Sequence, residues 1–308
     1  MSHPLAILCS GQGGQHASMF RLTASSPLAE PVFREAGHVL GDDPRSFVQK
    51  ADRVSLYSNH AGQILCCTAA LAAWYALRLS EEPDILLAGY SVGELASWGC
   101  AGLFDLKQFM HLVSLRAAAM DRAAPEKAGL LAISGIRRDI LDRLLSETGN
   151  YLAIKFSEDG FVAGGKDKAL DTLAKTVRDH GARSAHRLAV SVPAHTPYLK
   201  QASADFLALL HVTPPGELTR NIQLLSGLDG GLVRHPVAGC QSLCAQISET
   251  INWTACVDTL VERGATVALE LGPGRALSNM TGDRLRSSRS LEDFDTLEGV
   301  RKWLACVL

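Results

Sequence analysis

Apolar positions fall along this chain in two rhythms. Short continuous runs of strand length occur at residues 5–9 (LAILC) and 85–88 (ILLA), each followed by glycine and polar residues that open a turn. Between them, residues 64–77 (ILCCTAALAAWYAL) form a longer apolar stretch that predicts a helix buried inside a protein. A further helix begins near Glu94, and residues 106–120 carry an amphipathic helical pattern. Strands alternating with helices predict a parallel sheet covered by helices.

Past Pro125 the units become shorter. LLAISG, a helical pattern over 138–147, YLAIKF, FVAGG, a helical pattern over 168–180 and SAHRLAV follow in turn. Strand, helix, strand, strand, helix, strand is the order of a ferredoxin-like domain, so residues 127–190 read as an insert within a core of 1–126 and 191–308. The core pattern then resumes with strands over 221–226 and 267–270, a helix over 253–263 and an amphipathic closing helix over 291–308. The fold class is therefore α/β, a parallel-sheet core with a small inserted subdomain.

Charge narrows the partners. With 30 Lys and Arg against 32 Asp and Glu, the chain has no basic surplus for a nucleic acid backbone or an acidic membrane. The 64–77 run reads as too short to span a bilayer, and the first residues lack the basic and apolar regions of a signal peptide, which points to the cytoplasm. Eight cysteines lie mostly among Ala, Leu and Ile and read as small core hydrophobes; Cys240 and Cys244 lack the second ligand pair that a zinc site uses, so no metal is expected.

Candidate chemistry centres on Gly89-Tyr90-Ser91-Val92-Gly93, a G-x-S-x-G turn between an apolar strand and a helix. Small flanking residues relieve crowding there and push the hydroxyl of Ser91 into the open. The helix that follows aims its N-terminus at the site, which makes the Val92 amide available to a developing oxyanion. The loop Gly11-Gln12-Gly13-Gly14-Gln15 lacks the spacing of a dinucleotide fingerprint and fits an acyl-oxygen cradle better. A serine nucleophile needs a base, and His195, in a short loop between Pro193 and Pro197, is the candidate; His111 and His180 lie on polar helix faces and read as solvated.

Arg116 interrupts the apolar stripe of its own helix, falling between Leu112 and the pair Phe109 and Met120. A snorkelling arginine accounts for that position, and so does a guanidinium held in a cleft to grip a carboxylate. Residues 160–166 (GFVAGGK) match G-x-x-x-x-G-K, but Asp167 stands where a P-loop needs Ser or Thr and would repel phosphates. Arg275 is expected near the cleft mouth. Arg284, Arg286 and Arg289 form a local basic run that reads as a solvated loop, with a phosphate-bearing or acidic partner as the alternative.

Taken together, GQGGQ, GYSVGE, the helical Arg116, VPAHTPY and LELGPGRALSNM resemble the malonyl-CoA:acyl-carrier-protein acyltransferases, in the same order and over nearly the whole chain. The resemblance implies an α/β-hydrolase-like core, Ser91 as nucleophile, His195 as base, Gln12 and Val92 as backbone oxyanion donors and Arg116 as the malonyl carboxylate site. It implies malonyl-CoA as substrate, an acyl carrier protein with a phosphopantetheine-like arm as partner and no bound cofactor. It also places Asn252 as the neutral residue orienting the histidine, with Asp258 and Glu270 as other candidates. Tyr90 and Val92 replace the His and Leu usual in fatty-acid-synthesis members. GYSVGELASWG followed by CAGLF, and the closing SLEDFDTLEGVRKWL, are more similar to the malonyltransferase (epsilon) subunit of malonate decarboxylase, whose carrier bears phosphoribosyl-dephospho-CoA. A thioesterase or esterase on the same elbow and an inactive scaffold are the alternatives.

Overall fold

The computed structural model describes residues 3–308; Met1 and Ser2 lie outside them. Ten strands are present among the described residues: β1 Leu5–Cys9, β2 Ile85–Gly89, β3 Ala128–Ser134, β4 Tyr151–Lys155, β5 Gly160–Lys166, β6 Ser184–Arg187, β7 Ile222–Leu224, β8 Ile251–Asn252, β9 Val267–Leu271 and β10 Ser287–Ser290. They form two five-stranded sheets.

The larger sheet runs β10-β9-β1-β2-β7 with every pairing parallel. Its three inner strands, LAILC, ILLAG and VALEL, are buried at every position. Continuous apolar runs of this kind are what a parallel sheet covered on both faces requires. The register aligns Cys9 with Gly89 on one side and with Leu271 on the other. Three loops, beginning at Ser10, Tyr90 and Gly272, therefore leave the carboxyl edge of the sheet side by side. From β1 the chain builds outward to β2 and β7, then crosses back to β9 and β10. Such a reversal of strand order leaves a crevice at the carboxyl ends.

The smaller sheet runs β6-β3-β5-β4-β8. Its first four strands are antiparallel neighbours, and the helices Arg138–Thr148 and Asp167–Asp179 cover one face. That face encloses a core of its own, built only from residues between Leu131 and Ala185, while Leu130, Ala153, Ile154 and Val162 on the other face join the core beneath the large sheet. On this separation we propose residues 127–190 as a small subdomain and 1–126 with 191–308 as the core. The two are laced together, because β8 leaves the core segment and pairs parallel with β4, Ile251 opposite Ile154.

GFVAGGK is strand β5 in full, paired on both sides and followed by the helix from Asp167, in agreement with a strand running into a helix rather than a phosphate loop. Other elements differ from the sequence expectation. The basic run over 284–289 is a loop only in part: its arginines are exposed, but Ser287–Ser290 is an edge strand against β9. The closing helix is shorter, Leu297–Val307, because Ser290 and Asp293 cap a separate turn over Leu291–Asp293 and Thr296 caps the helix through the Gly299 amide. The buried helix runs from Asn59 to Leu77, longer than its apolar stretch, since Ser58 caps it upstream. By length and composition it is apolar enough to cross a membrane, which corrects the reading that it is too short, but 89% of its apolar window is buried inside the fold.

Candidate active site

Ser91 sits at the tip of the turn from β2 into the helix Val92–Cys100, with φ 60° and ψ −120°. A side chain at positive φ is strained, and the surroundings must hold it there. They do so by close packing at both glycines: a Cβ on Gly89 would collide with Gly93, and one on Gly93 with the carbonyl oxygen of Cys9. The turn can pack against the end of β1 only without those side chains. Tyr90 turns into the core beneath the site and meets Trp253 edge to face, ring centroids 5.6 Å apart.

His195 comes from the loop that precedes the helix Lys200–Val212 and also has positive φ, 63°. Its own amide donates to the Ile247 carbonyl, and its Nδ1–H donates to the Gln246 carbonyl. A carbonyl only accepts, so Nδ1 carries the proton and Nε2 holds the lone pair. Nε2 lies 2.8 Å from Ser91 Oγ, whose hydroxyl donates to it. The histidine is buried, and burial is the main cause that pushes its pKa down to about 3; the charge of Arg116 lowers it further while the Gln246 contact opposes. The imidazole is thus neutral across the physiological range and able to take a proton.

The first glycine loop is placed directly on this pair. A Cβ on Gly11 would stand 2.8 Å from the Tyr90 carbonyl and 3.6 Å from Ser91 Cβ, so Gln12 follows within a residue of the nucleophile turn. Gln12 is tied by its side chain to the Asn59 carbonyl at 3.2 Å, and Cys66 donates to the Gly11 carbonyl. Val92 opens its helix, where the backbone N–H has no partner within the helix. The amides of residues 12 and 92 therefore come from two loops that meet at Ser91.

Arg116, on the helix Leu106–Ala123, is fully buried, so it does not snorkel. Its Nη1 donates to Gln63 Oε1 at 2.5 Å, and its Nε and Nη2 have no partner among the described residues. Desolvation lowers its pKa to about 10, still high enough to hold the charge at neutral pH. Gln63 stands on the helix whose Cys66 and Cys67 donate to the carbonyls of Gly11 and Val92, which brings the guanidinium to the side of the Ser-His pair, where its charge also lowers the His195 pKa.

The structure does not bring Asn252 to His195. Asn252 begins the helix Trp253–Glu262, and its side-chain oxygen accepts from the Ala255 amide at 3.3 Å. The other two orienting candidates are also engaged elsewhere. Asp258 pairs with Arg284 at 2.7 Å on the surface, and buried Glu270 accepts from Ser10 Oγ and from the amides of Leu277 and Ser278. What orients the imidazole is the main chain of Gln246, whose side chain also donates to the Ser91 carbonyl at 3.1 Å. Of the other basic residues, Arg275 pairs with Asp293, Arg286 donates to the Val307 carbonyl and Arg289 lies over the Phe294 and Trp303 rings. His111 and His180 are exposed.

The same assembly of elements occurs in proteins of known activity. The chain is 28% identical over 289 residues to the malonyl CoA-acyl carrier protein transacylase of Haemophilus influenzae, covering 90% of each protein. The malonyl-CoA:acyl carrier protein transacylase structure from Xanthomonas oryzae matches with a TM-score of 0.89 and 27% identity over 99% of both chains. By sequence and fold, the chain is similar to these transacylases. A malonyl-transacylase in complex with its type II PKS acyl-carrier protein matches at a TM-score of 0.88 and 27% identity, over 97% of this chain and 99% of that one. No family model matches the chain.

Against those relatives, two residues of the site carried no sequence signal. Gln246 orients the imidazole through a carbonyl that every residue possesses. Gln63 stands one position before an apolar run and reads as the polar start of a helix; its burial, at 0% exposure, is what marks it.

Proposed function

We propose that this acyltransferase moves a malonyl group from malonyl-CoA to the thiol of an acyl carrier protein through a malonyl-Ser91 intermediate. The observation that carries this reading is a buried arginine with two unused donors beside a hydrogen-bonded Ser91–His195 pair. A serine and a histidine alone serve hydrolysis and transfer alike. A buried cation with no ion-pair partner among the described residues calls for an acyl group that brings its own negative charge.

In the proposed cycle His195 Nε2 takes the Ser91 proton as Oγ attacks the thioester carbonyl. The amides of Gln12 and Val92 hold the tetrahedral oxygen while CoA leaves as a thiol, protonated by the imidazolium. The carrier thiol then attacks the acyl-serine by the reverse route. A neutral carbonyl behind Nδ1 stabilises the imidazolium less than a carboxylate does, which favours a short-lived ion over a permanently charged histidine.

Within this reading we assign the carrier to malonate decarboxylase, with its phosphoribosyl-dephospho-CoA arm and the chain as its malonyltransferase (epsilon) subunit in the cytoplasm. Tyr90 and Val92 support that branch. A carrier of fatty-acid or polyketide synthesis bearing phosphopantetheine fits the relatives equally well. Offering the malonylated chain both carriers in competition tests the choice: preferential loading of the phosphoribosyl-dephospho-CoA carrier supports the decarboxylase branch, and preferential loading of the phosphopantetheine carrier overturns it.

A further inference from the structure

Arg116 is the inner end of a polar chain that reaches the protein surface. Gln63 Oε1 accepts from Arg116 Nη1; Gln63 Nε2 donates to Asn59 Oδ1 at 2.8 Å; Asn59 Nδ2 donates to Asp121 Oδ1 at 3.0 Å and to the Ala117 carbonyl at 3.1 Å. Asn59 and Gln63 are buried, and Asp121 reaches solvent.

The direction of every link is fixed by chemistry. A guanidinium only donates, so the Gln63 oxygen must face it and the Gln63 nitrogen must face Asn59. A carboxylate and a carbonyl only accept, so the Asn59 nitrogen must face Asp121 and Ala117. Neither amide can flip without setting two donors or two acceptors against each other. One N–H of Nη1 is thereby committed, and Nε and Nη2, which have no partner among the described residues, form one edge of the guanidinium, spaced for the two oxygens of a carboxylate. Asn59 serves the other half of the site too, since its carbonyl holds the Gln12 side chain.

We propose that Asn59 and Asp121 are positioning residues that lock Arg116, through Gln63, with its Nε–Nη2 edge toward the acyl group, and so set the preference for acyl groups ending in a carboxylate. The inference rests on the malonyltransferase reading and adds residues that never touch the substrate. Asp121 is the useful place to perturb, because it lies at the solvent end and its replacement leaves the core intact.

The test is kcat and KM for malonyl-CoA and acetyl-CoA with the full chain and its Asp121→Leu, Asp121→Asn and Asn59→Ala variants. Loss of one relay hydrogen bond predicts a malonyl-CoA KM raised about fivefold in Asp121→Leu, with kcat and the acetyl-CoA constants moving less than about twofold. Asp121→Asn retains an acceptor oxygen for Asn59 and is expected to restore most of the malonyl preference. Asn59→Ala, which removes the central link, is expected to cost at least as much preference as Asp121→Leu. An unchanged malonyl-to-acetyl ratio in Asp121→Leu overturns the inference, and so does a parallel fall for both thioesters. Absence of malonyl preference in the unsubstituted chain would instead remove the functional reading on which it rests.

Discussion

Replacing Arg116 by Leu separates recognition from chemistry. In the native site Nε and Nη2 have no acceptor among the described residues, and on the proposed reading both go to the malonyl carboxylate. Hydrogen bonds to charged groups contribute about 1.5–3 kcal/mol each, so two of them amount to about 3–6 kcal/mol of malonyl binding. At about 1.4 kcal/mol per tenfold, kcat/KM for malonyl-CoA is expected to fall roughly a hundredfold to ten-thousandfold. Acetyl-CoA has no group to place there, and its kcat/KM is expected to hold or rise once the uncompensated charge is gone. Stability offers the control. Gln63 Oε1 loses its partner, at a cost of about 1–3 kcal/mol, while the desolvation of a buried cation is relieved, so the two effects oppose. The assay is initial acyl transfer with each thioester at one pH, alongside a thermal melt. A parallel loss for both substrates in a variant that melts like the parent would refute the reasoning.

Three other substitutions or profiles test separate parts of the site. With His195 driven down to about 3, the acid limb of kcat/KM for malonyl-CoA should show no inflection near 6.5 and should begin below pH 5; in Arg116→Leu the repelling charge is gone and the limb should move to higher pH. An inflection near 6.5 in the parent would mean that the imidazole is solvated. Buried Glu94 has its pKa raised to about 8 by desolvation, so the folded state binds a proton that the unfolded chain has released above about 4.5. Stability from this group is complete below pH 4.5 and is lost as pH rises toward 8, at up to about 1.4 kcal/mol per pH unit. Glu94→Gln should therefore gain stability relative to the parent as the pH of a denaturation series rises from 5 to 8; a constant difference would show that the carboxyl is ionised throughout. Asn252→Ala should cost about 1 kcal/mol through loss of a helix cap and leave acylation of Ser91 at its native rate, whereas a slow, stable variant would return Asn252 to the mechanism.

What the sequence makes legible here is chemistry tied to side-chain identity. Ser91 between Gly89 and Gly93 can be read because the steric demand falls on those residue types, and collisions with Gly93 and with Cys9 are what a Cβ would meet. Arg116 can be read because it breaks an apolar stripe. The inner strands can be read because burial on both faces demands unbroken apolar runs. Main-chain roles cannot: the carbonyl of Gln246 would serve from any residue, and its place beside His195 depends on how the helix Pro236–Ala245 ends. Asn252 attracts attention as a neutral polar residue near the right place, but its side chain is used up capping its own helix. Edge strand β10 is concealed for a related reason, since Ser287, Ser288 and Arg289 give no apolar alternation and owe their extended form to pairing with β9.

The most direct test of the account is the intact mass of the chain after brief exposure to malonyl-CoA. A single added malonyl group, recovered on the peptide that contains Ser91, absent in Ser91→Ala and discharged by a carrier thiol, is the predicted result. Malonyl-CoA consumed without a covalent adduct, or an adduct that persists in Ser91→Ala, would contradict transfer through this serine.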